Sequence, residues 1–232
     1  MDTNWIHQLI NDTFSAEALK SFFTYSLKEP WFFTELSFLF VFGVFLILYA
    51  AIVKHHFWKK IYVIAFSIFF YYKSSGPFLS LFLLMILSDY YFAALIHKKE
   101  GWQKKIFLWI SLTYSLSFLL YFKYANFFIQ NFNELLGTHF SEHNLFLPIG
   151  ISFYTFQSVS YIVDVYRKEI EPSKNLSDYA FYMTFLPHLV AGPIVRAKDF
   201  LPQIQTPQLL NQSLYKEAML RVMIGLLKKL YR

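Results

Sequence analysis

Long stretches without a charged residue decide which class of fold is open to this chain. Residues 36–53 form one such stretch of eighteen residues between Glu35 and Lys54, and as an α-helix it is about 27 Å long, enough to cross the hydrocarbon core of a bilayer. The chain has 232 residues, of which 56% are hydrophobic and only 16% are charged. The sequence therefore predicts an all-α, polytopic membrane protein instead of a soluble domain.

Further uncharged stretches bring the predicted number of membrane segments to about six. They are residues 61–72, 74–96 with Asp89 inside, 106–122, 143–163 and 179–195. The stretch 61–72 is short, but Trp58, Lys60 and Lys73 flank it, and such side chains extend a short helix to the membrane surface. One domain is predicted over residues 1–232, with residues 1–35 before the membrane segments, residues 36–195 in the membrane and a helix at 207–231.

The distribution of Lys and Arg over the loops predicts the orientation. Six crossings sort the loops into two sets, one with ten basic residues and one with four. The ten are Lys54, Lys59, Lys60, Lys98, Lys99, Lys104, Lys105, Arg167, Lys168 and Lys174, and the four are Lys20, Lys28, Lys73 and Lys123. Because basic loops stay in the cytoplasm, the amino terminus is predicted to be extracytoplasmic. Topology then explains the net charge of +6, and no nucleic-acid partner is predicted.

Several common kinds of site are excluded. Cysteine is absent and the closest pair of glycines, Gly137 and Gly150, is thirteen positions apart, which excludes thiolate sites and nucleotide-binding glycine loops. Tyr154 stands where a serine nucleophile elbow needs its second glycine. The zinc-peptidase-like string at residues 139–143 lies in a short loop, so no metal site and no bound cofactor are predicted.

Residues 186–193 contain the features least compatible with a straight membrane helix. Pro187 and Pro193 lack an N–H, and Gly192 loosens the turn between them. Irregular backbone at membrane depth is tolerated only where protein buries it or where it lines a watery cavity. Two interpretations stay open: a kinked helix in which His188 satisfies a neighbouring group, or a cavity wall that His188 and Arg196 help to form.

Polar side chains within apolar segments supply the other candidates for a substrate path. Asp89 is costly in lipid, by about 2.5 to 3.5 kcal/mol, unless it is paired or wetted, and the alternative is a position near Lys98 and Lys104 at the cytoplasmic end. Helical spacing puts four polar residues of segment 143–163 and its end on one face. The candidates are Asp89, Tyr154, Gln157, Tyr161, Asp164, His188 and Arg196.

The carboxy-terminal residues 207–231 predict an amphipathic helix at the membrane interface. Its apolar stripe covers about 100° of a helical wheel. The stripe consists of Tyr215, Met219, Val222, Met223, Leu226 and Leu230.

Four strings of residues resemble a known family. They are Phe-Lys-Tyr-Ala-Asn-Phe-Phe at 122–128, Leu-Pro-Ile-Gly-Ile-Ser-Phe-Tyr-Thr-Phe-Gln at 147–157, Asp-Val-Tyr-Arg at 164–167 and Phe-Leu-Pro-His-Leu-Val-Ala-Gly-Pro at 185–193. Together they resemble the membrane-bound O-acyltransferase (MBOAT) family, in its bacterial branch of alginate O-acetyltransferases and transferases of D-alanine to teichoic acid. The resemblance extends over residues 36–229.

The resemblance implies a funnel of helices in the bacterial cytoplasmic membrane. Such a protein moves an acyl group, here acetyl or D-alanyl, from a cytoplasmic thioester donor to a hydroxyl of an exported polysaccharide or cell-wall polymer. The donor is an acyl coenzyme A or an acyl carrier protein. The implied partners are membrane lipid, the acceptor polymer, and an acyl carrier or accessory acetylation proteins.

No catalytic residue is assigned. The family's catalytic histidine belongs to a Trp-His segment in its second half, and this sequence contains no Trp-His pair. The resemblance therefore predicts an amino-terminal fragment or truncated product that is inactive alone. Two alternatives are a transporter or flippase, because broken helices also mark transport sites, and a non-catalytic membrane scaffold.

Overall fold

A computed structural model describes residues 23–26, 31, 36–52, 55–142, 146–189, 192–205 and 212–230. Every regular element in these ranges is helical and none is a strand, as the uncharged stretches predicted. Contacts divide the chain into two compact units, Met1–Leu201 and Pro202–Arg232. Most of the predicted segment at residues 1–35 lies outside the described ranges.

Among the described residues of the first unit, three helices rich in apolar residues come first. They are α1 (Leu36–Ile52), α2 (His56–Ser75) and, after a 3₁₀ turn at Gly76–Phe78, α3 (Leu79–Lys98). The later helices are α4 (Gly101–Leu119), a π-helical turn (Leu120–Tyr124), α5 (Ala125–Leu136), α6 (Ile151–Tyr166), α7 (Leu176–Thr184), α8 (Leu186–Leu189), α9 (Ala197–Gln205) and α10 (Gln212–Leu230).

Two helical stretches among the described residues are long and apolar enough to cross a membrane. They are Phe57–Lys98, which contains α2 and α3, and Gly101–Leu136, while Ser37–Ile52 is apolar but shorter. The twelve uncharged residues at 61–72 lie inside the 20-residue helix α2, about 30 Å long. Its length is sufficient because the flanking residues at 56–60 and 73–75 are helical as well.

A sharp turn separates α2 from α3. Gly76 has a φ of 57° and a ψ of −126°, a conformation that side chains other than glycine rarely adopt. The ring of Tyr25 lies against the same position, where an added Cβ would be 2.5 Å from its atoms. Glycine is therefore needed at this turn both for its backbone angles and for its small size.

The end of α2 is tied to segments before and after it. Lys73 is 4% exposed and its ammonium donates a hydrogen bond of 2.6 Å to the carbonyl of Thr24. Its ammonium is therefore held by protein, and its predicted position at the membrane surface stays a prediction. The backbone N–H of Ile149 donates to the hydroxyl of Ser75 at 3.2 Å, so the beginning of α6 lies beside the end of α2.

The helices α3, α4 and α6 pack against one another, and α7 contacts α2, α3 and α6. Aromatic rings fill the centre: Phe82 of α3 lies 4.9 Å from both Tyr71 and Tyr154, measured between ring centroids. Helix α1 packs on α2 through the rings of Phe45 and Phe66, whose centroids are 4.1 Å apart. These contacts hold α6 at the middle of the bundle.

Three contacts bring the basic loops together at one end of this bundle, called here the basic end. Lys104, at the beginning of α4, has its ammonium 4.9 Å from the ring centroid of Tyr166 at the end of α6. The hydroxyl of Tyr90 donates to the carbonyl of Lys174 at 3.1 Å, and Lys60 pairs with Asp178 at 2.5 Å. The opposite end contains Ser75 and Ile149.

The predicted membrane crossing at residues 179–195 is wrong, because the segment enters and leaves at the basic end. Asp178 lies beside Lys60, and Arg196 lies 3.6 Å from Asp164, which is near the end of α6. A crossing would put Arg196 near Ile151 instead. Helix α7 has only nine residues, about 13 Å, and the chain breaks at Phe185, whose ψ is 111°.

Helix α10 belongs to the second unit and falls within the predicted range 207–231, although residues 206–211 lie outside the description. Met219, Val222 and Met223 of the predicted stripe are exposed, and so are Leu220 and Leu227 on its flank. The exposed apolar residues therefore cover a wider arc than the predicted 100°. The interfacial position of this helix stays a prediction.

Candidate functional site

The re-entrant segment is the centre of the candidate site. It consists of residues 176–196, of which 190 and 191 lie outside the described residues. Its entrance is fixed by the ion pair of Lys60 and Asp178, whose side chains are 10% and 9% exposed. An acidic residue in the first turn of a helix is favourable, because it compensates the positive end of the helix dipole. This pair ties the beginning of α7 to α2.

Asp89 anchors the next residue of the segment. The hydroxyl of Tyr179 donates to Oδ2 of Asp89 at 3.0 Å, and both side chains are fully buried. The hydroxyls of Ser115 and Ser158, whose oxygens are 3.3 Å apart, flank the carboxyl group. Asp89 thus lies in the middle of α3, away from Lys98. Its hydrogen-bond partner is the hydroxyl of Tyr179 in α7, while its other carboxyl oxygen, Oδ1, is buried without a hydrogen bond among the described residues.

Tyr161 holds the loop that leads into the segment. Its hydroxyl accepts a hydrogen bond of 2.9 Å from the backbone N–H of Ser173. Its ring centroid lies 4.4 Å from that of Tyr179. The same side chain therefore contacts the loop through its hydroxyl and helix α7 through its ring.

The tip of the segment is held by two side chains that share one acceptor. Nε2 of Gln157 lies 3.1 Å, and Nε2 of His188 2.9 Å, from the carbonyl oxygen of Tyr182. Because α7 ends at Thr184, this carbonyl is one of the last four of the helix, which have no donor within it. The amide of Gln157 therefore donates to it. The same nitrogen of His188 also lies 3.2 Å from Nε2 of Gln157, so the role of the ring depends on its tautomer. Of the two interpretations of His188, this geometry supports the one in which it satisfies a neighbouring group.

The return of the segment to the basic end is held by Tyr182 and Asp164. The hydroxyl of Tyr182 donates to the carbonyl of Val195 at 2.8 Å. Nη2 of Arg196 lies 3.6 Å from Oδ1 of Asp164; the Asp164 side chain is 1% exposed and that of Arg196 is 46% exposed. One partner of this pair is therefore buried, and the other reaches the surface.

Six of the seven candidates contact the re-entrant segment or belong to it. Tyr154 is the exception among them, since its ring packs on those of Tyr71 and Phe82, at 6.2 and 4.9 Å. Helical spacing predicted that Gln157, Tyr161 and Asp164 share one face of α6, and all three contact the re-entrant segment or the loop before it. That these residues line a substrate path stays a prediction. Asp89 and Gln157, at 0% and 3% exposure, serve as internal contacts in this structure.

Sequence reasoning missed several residues that shape the site. Asp178 had a local signal, because an acid three residues after Asn175 is typical of the first turn of a helix. Phe200 had none: its ring centroid lies 5.1 Å from that of Phe185 and 5.5 Å from that of His188. Phe200 thereby covers one side of the tip.

The described residues contain no group of three His, Asp or Glu side chains able to hold a metal ion. His143 of the zinc-like string lies outside the described ranges. The polar side chains around the re-entrant segment hold it in place: Asp89 accepts from the hydroxyl of Tyr179, and Gln157 donates to the carbonyl of Tyr182. These polar side chains do not include a nucleophile with an adjacent base.

Comparison with curated proteins confirms the family that the four strings indicated. The chain belongs to the membrane-bound O-acyltransferase family, by its similarity to bacterial O-acetyltransferases. It is 34% identical over 180 residues to a probable alginate O-acetylase AlgI of Pseudomonas putida, covering 75% of this chain and 37% of the relative. It is 30% identical over 206 residues to a peptidoglycan O-acetyltransferase of Helicobacter pylori, covering 77% and 39%.

A third relative is a probable alginate O-acetylase AlgI of Pseudomonas aeruginosa, 40% identical over 126 residues, covering 53% of this chain and 24% of the relative. The chain thus spans about a quarter to two fifths of the length of these relatives. No family profile matches the chain. No solved structure matches it either.

Proposed function

We propose that this chain forms part of a membrane O-acetyltransferase that transfers an acetyl group from a cytoplasmic thioester to a hydroxyl of an exported polysaccharide or cell-wall polymer. The observation that carries the proposal is the similarity to proteins named alginate O-acetylase and peptidoglycan O-acetyltransferase. Both names specify acetyl, which favours acetyl over D-alanyl for this chain.

The orientation is part of the proposal. We assign the basic end to the cytoplasm, because basic residues are retained there. The re-entrant course of residues 176–196 adds Arg196 and Lys198 to that end, since Lys198 lies 3.9 Å from Glu169. With this orientation the opposite end, where α6 begins, faces the exported polymer.

The reaction requires a base for the acceptor hydroxyl. The hydroxyl oxygen attacks the thioester carbonyl, the C–O bond forms, the C–S bond breaks, and the proton of the hydroxyl ends on the leaving thiol. His188 is buried against the carbonyl of Tyr182 and the amide of Gln157, and we do not assign the base to it. The contribution proposed for this part of the protein is to hold irregular backbone at membrane depth beside the passage where donor and acceptor meet.

A chimera tests the proposal. The region of the Pseudomonas aeruginosa relative that aligns with this chain is replaced by this chain's residues and expressed in a strain that lacks the relative. Ester-linked acetate on the exported alginate is then measured after mild alkaline release. Restored acetylation is expected, and a matched chimera with Gln157→Leu and His188→Phe should restore less of it.

The alternative of a transporter is tested in the same strain. Discontinuous helices such as α7 and α8 also occur at transport sites, and a transporter moves its substrate without forming an ester. If the chimera is present in the membrane in normal amount and no acetate is attached to the polymer, the acetyltransferase proposal is wrong. Export of unmodified polymer that depends on the chimera would then favour transport.

A further inference from the structure

A buried carboxyl group lies in the middle of the bundle without a compensating charge. Asp89 of α3 is 0% exposed. Its Oδ2 accepts the hydrogen bond from Tyr179, whereas its Oδ1 is buried and has no hydrogen-bond partner among the described residues. The ion pairs formed by these residues do not include Asp89. Because an uncompensated carboxylate is costly inside a membrane, a group of positive charge is expected beside Oδ1.

Two serine hydroxyls flank this carboxyl group from neighbouring helices. Ser115 of α4 and Ser158 of α6 are 1% and 0% exposed, and both lie beside Asp89. Their oxygens are 3.3 Å apart, whereas an O–H···O hydrogen bond is usually about 2.5–3.0 Å long. Two oxygens that bind one cation at right angles, each at the distance typical of Ca²⁺ ligands, are about 3.3–3.7 Å apart. The separation of the two hydroxyls therefore fits two ligands of one ion.

The charge and the ligand atoms indicate which ion suits this place. One carboxylate and two hydroxyls are hard oxygen ligands, which suit alkali and alkaline-earth cations. With Asp89 as the acid, a monovalent cation gives a site without net charge, whereas a divalent cation leaves an excess charge inside the membrane. Na⁺ has nearly the radius of Ca²⁺, so the separation of the two hydroxyls fits Na⁺ better than the larger K⁺. These properties together indicate sodium.

A proton on Asp89 is the competing way to remove the buried charge. The proton would lie on Oδ1, because Oδ2 already accepts from Tyr179. Since Oδ1 has no hydrogen-bond partner among the described residues, protonation would replace a buried charge by a buried O–H without an acceptor, which is also unfavourable. An ion between Oδ1 and the two serine hydroxyls satisfies all three oxygens, so the geometry favours an ion.

We propose that Asp89, Ser115 and Ser158 bind a sodium ion between α3, α4 and α6, with water as its remaining ligand. Ser111 suits such a water, because it lies one turn from Ser115 on the same face of α4 and its buried hydroxyl has no partner among the described residues. The ion joins three helices to the re-entrant segment, since the same carboxyl group accepts from Tyr179. The site does not depend on the proposed acetyl transfer, and it stabilises the bundle.

Binding of radioactive sodium tests the site directly. The purified chain in detergent is immobilised and equilibrated with radioactive Na⁺ in choline chloride at constant ionic strength, and the bound isotope is counted by a scintillation proximity assay. Saturable binding is expected, and unlabelled Na⁺ should displace the isotope at lower concentrations than K⁺ or Ca²⁺. Thermal unfolding supplies a second measurement, because Na⁺ at ten times its dissociation constant should raise the Tm by about 3 °C relative to choline.

Variants of the three ligands test the assignment. Asp89→Asn keeps the shape of the side chain but removes its charge, so the binding of Na⁺ and its effect on the Tm should both disappear. Ser115→Ala and Ser158→Ala each remove one ligand and should raise the dissociation constant of Na⁺ about tenfold; they decide the matter if Asp89→Asn does not fold. The matched control is Ser117→Ala, because Ser117 is exposed on the same helix as Ser115 and donates to the carbonyl of Tyr114 at 2.7 Å. This variant removes no ligand, so its dissociation constant should stay within about twofold of the original.

Several results would overturn the inference. One is the absence of saturable sodium binding, and another is binding that Ser115→Ala and Ser158→Ala leave unchanged. A Tm that rises equally with Na⁺ and choline would mean a general effect of salt, and a Tm that depends on pH through Asp89 but not on Na⁺ would mean that a proton neutralises the carboxyl group. Stronger displacement of the isotope by Ca²⁺ than by Na⁺ would overturn the assignment to a monovalent ion. Because acetyl transfer is not measured, none of these results bears on the proposed function.

Discussion

The ammonium of Lys60 lies 2.5 Å from Oδ1 of Asp178, although 118 positions separate the two residues in the sequence. Both side chains are about nine-tenths buried. The pair joins the beginning of α2 to the first turn of α7, which is where the re-entrant segment enters the bundle. Removal of either partner alone leaves the charge of the other buried and uncompensated. Replacement of both residues by apolar side chains leaves no buried charge.

Lys60→Ala is therefore expected to destabilise the protein by about 3–5 kcal/mol, the usual cost of an uncompensated buried charge. The double variant Lys60→Met with Asp178→Leu should recover most of that loss. The measurement is thermal unfolding of the purified chain in detergent. Arg221→Ala is the control, because the Arg221 and Glu217 side chains are 78% and 55% exposed, and such a pair contributes little. Equal losses for Lys60→Ala and Arg221→Ala would contradict the expectation.

The shared acceptor at the tip gives a prediction about additivity. Gln157→Leu or His188→Phe alone leaves one donor on the carbonyl of Tyr182, so each should cost about 1 kcal/mol. The double variant leaves the carbonyl buried without a donor, and it should cost about 1–2 kcal/mol more than the sum of the two. A double-mutant cycle by denaturant unfolding measures the difference. Simple additivity would show that the two side chains act on different groups.

The sequence predicted the helices better than it predicted their course. Uncharged stretches predicted α1 to α4 and α6, because charge is costly in lipid and the middle of a membrane helix is therefore mostly uncharged. Residues 179–195 are also uncharged, and yet the segment turns back to the end at which it entered. The two prolines indicated a break in this stretch, but a break does not specify a direction. The pairing of Arg196 with Asp164 specifies it, and that is a tertiary contact.

The candidate site shows the same division. Helical spacing brought Gln157, Tyr161 and Asp164 to one face of α6, because spacing along a helix is a local property. Helical spacing does not predict which residues of other helices these side chains contact. Lys60 and Asp178 form a pair that leaves no local pattern in the sequence, and Phe200 contacts His188 only because the segment turns back.

Gly76 offers a test of local strain. In Gly76→Ala the residue must keep a φ of 57°, which costs about 1–2 kcal/mol for a residue with a Cβ, and its methyl group would lie 2.5 Å from the ring of Tyr25. A loss of more than 2 kcal/mol by thermal unfolding is expected, to which both strain and clash contribute. The control Gly43→Ala lies inside α1 with no atom within 4 Å of the new Cβ, and it should be neutral or stabilising.

The contribution of the clash at Gly76 is separable. Adding Tyr25→Ala to Gly76→Ala removes the ring but not the strained backbone angle. The double variant should therefore be less destabilised than the sum of the two single variants. If Gly76→Ala behaves like Gly43→Ala, the turn between α2 and α3 does not have the conformation described.

The course of the re-entrant segment is testable by labelling, because the chain has no cysteine of its own. Single variants Glu100→Cys, Lys198→Cys and Glu134→Cys place one thiol each at exposed positions. Glu100 and Lys198 belong to the basic end, whereas Glu134 lies near the far end of the continuous helical stretch Gly101–Leu136. A maleimide that does not pass the membrane should therefore react with Glu134→Cys in intact cells, and with the other two only after the cells are opened. A crossing at residues 179–195 would instead make Lys198→Cys react together with Glu134→Cys, so this single comparison decides between the two courses.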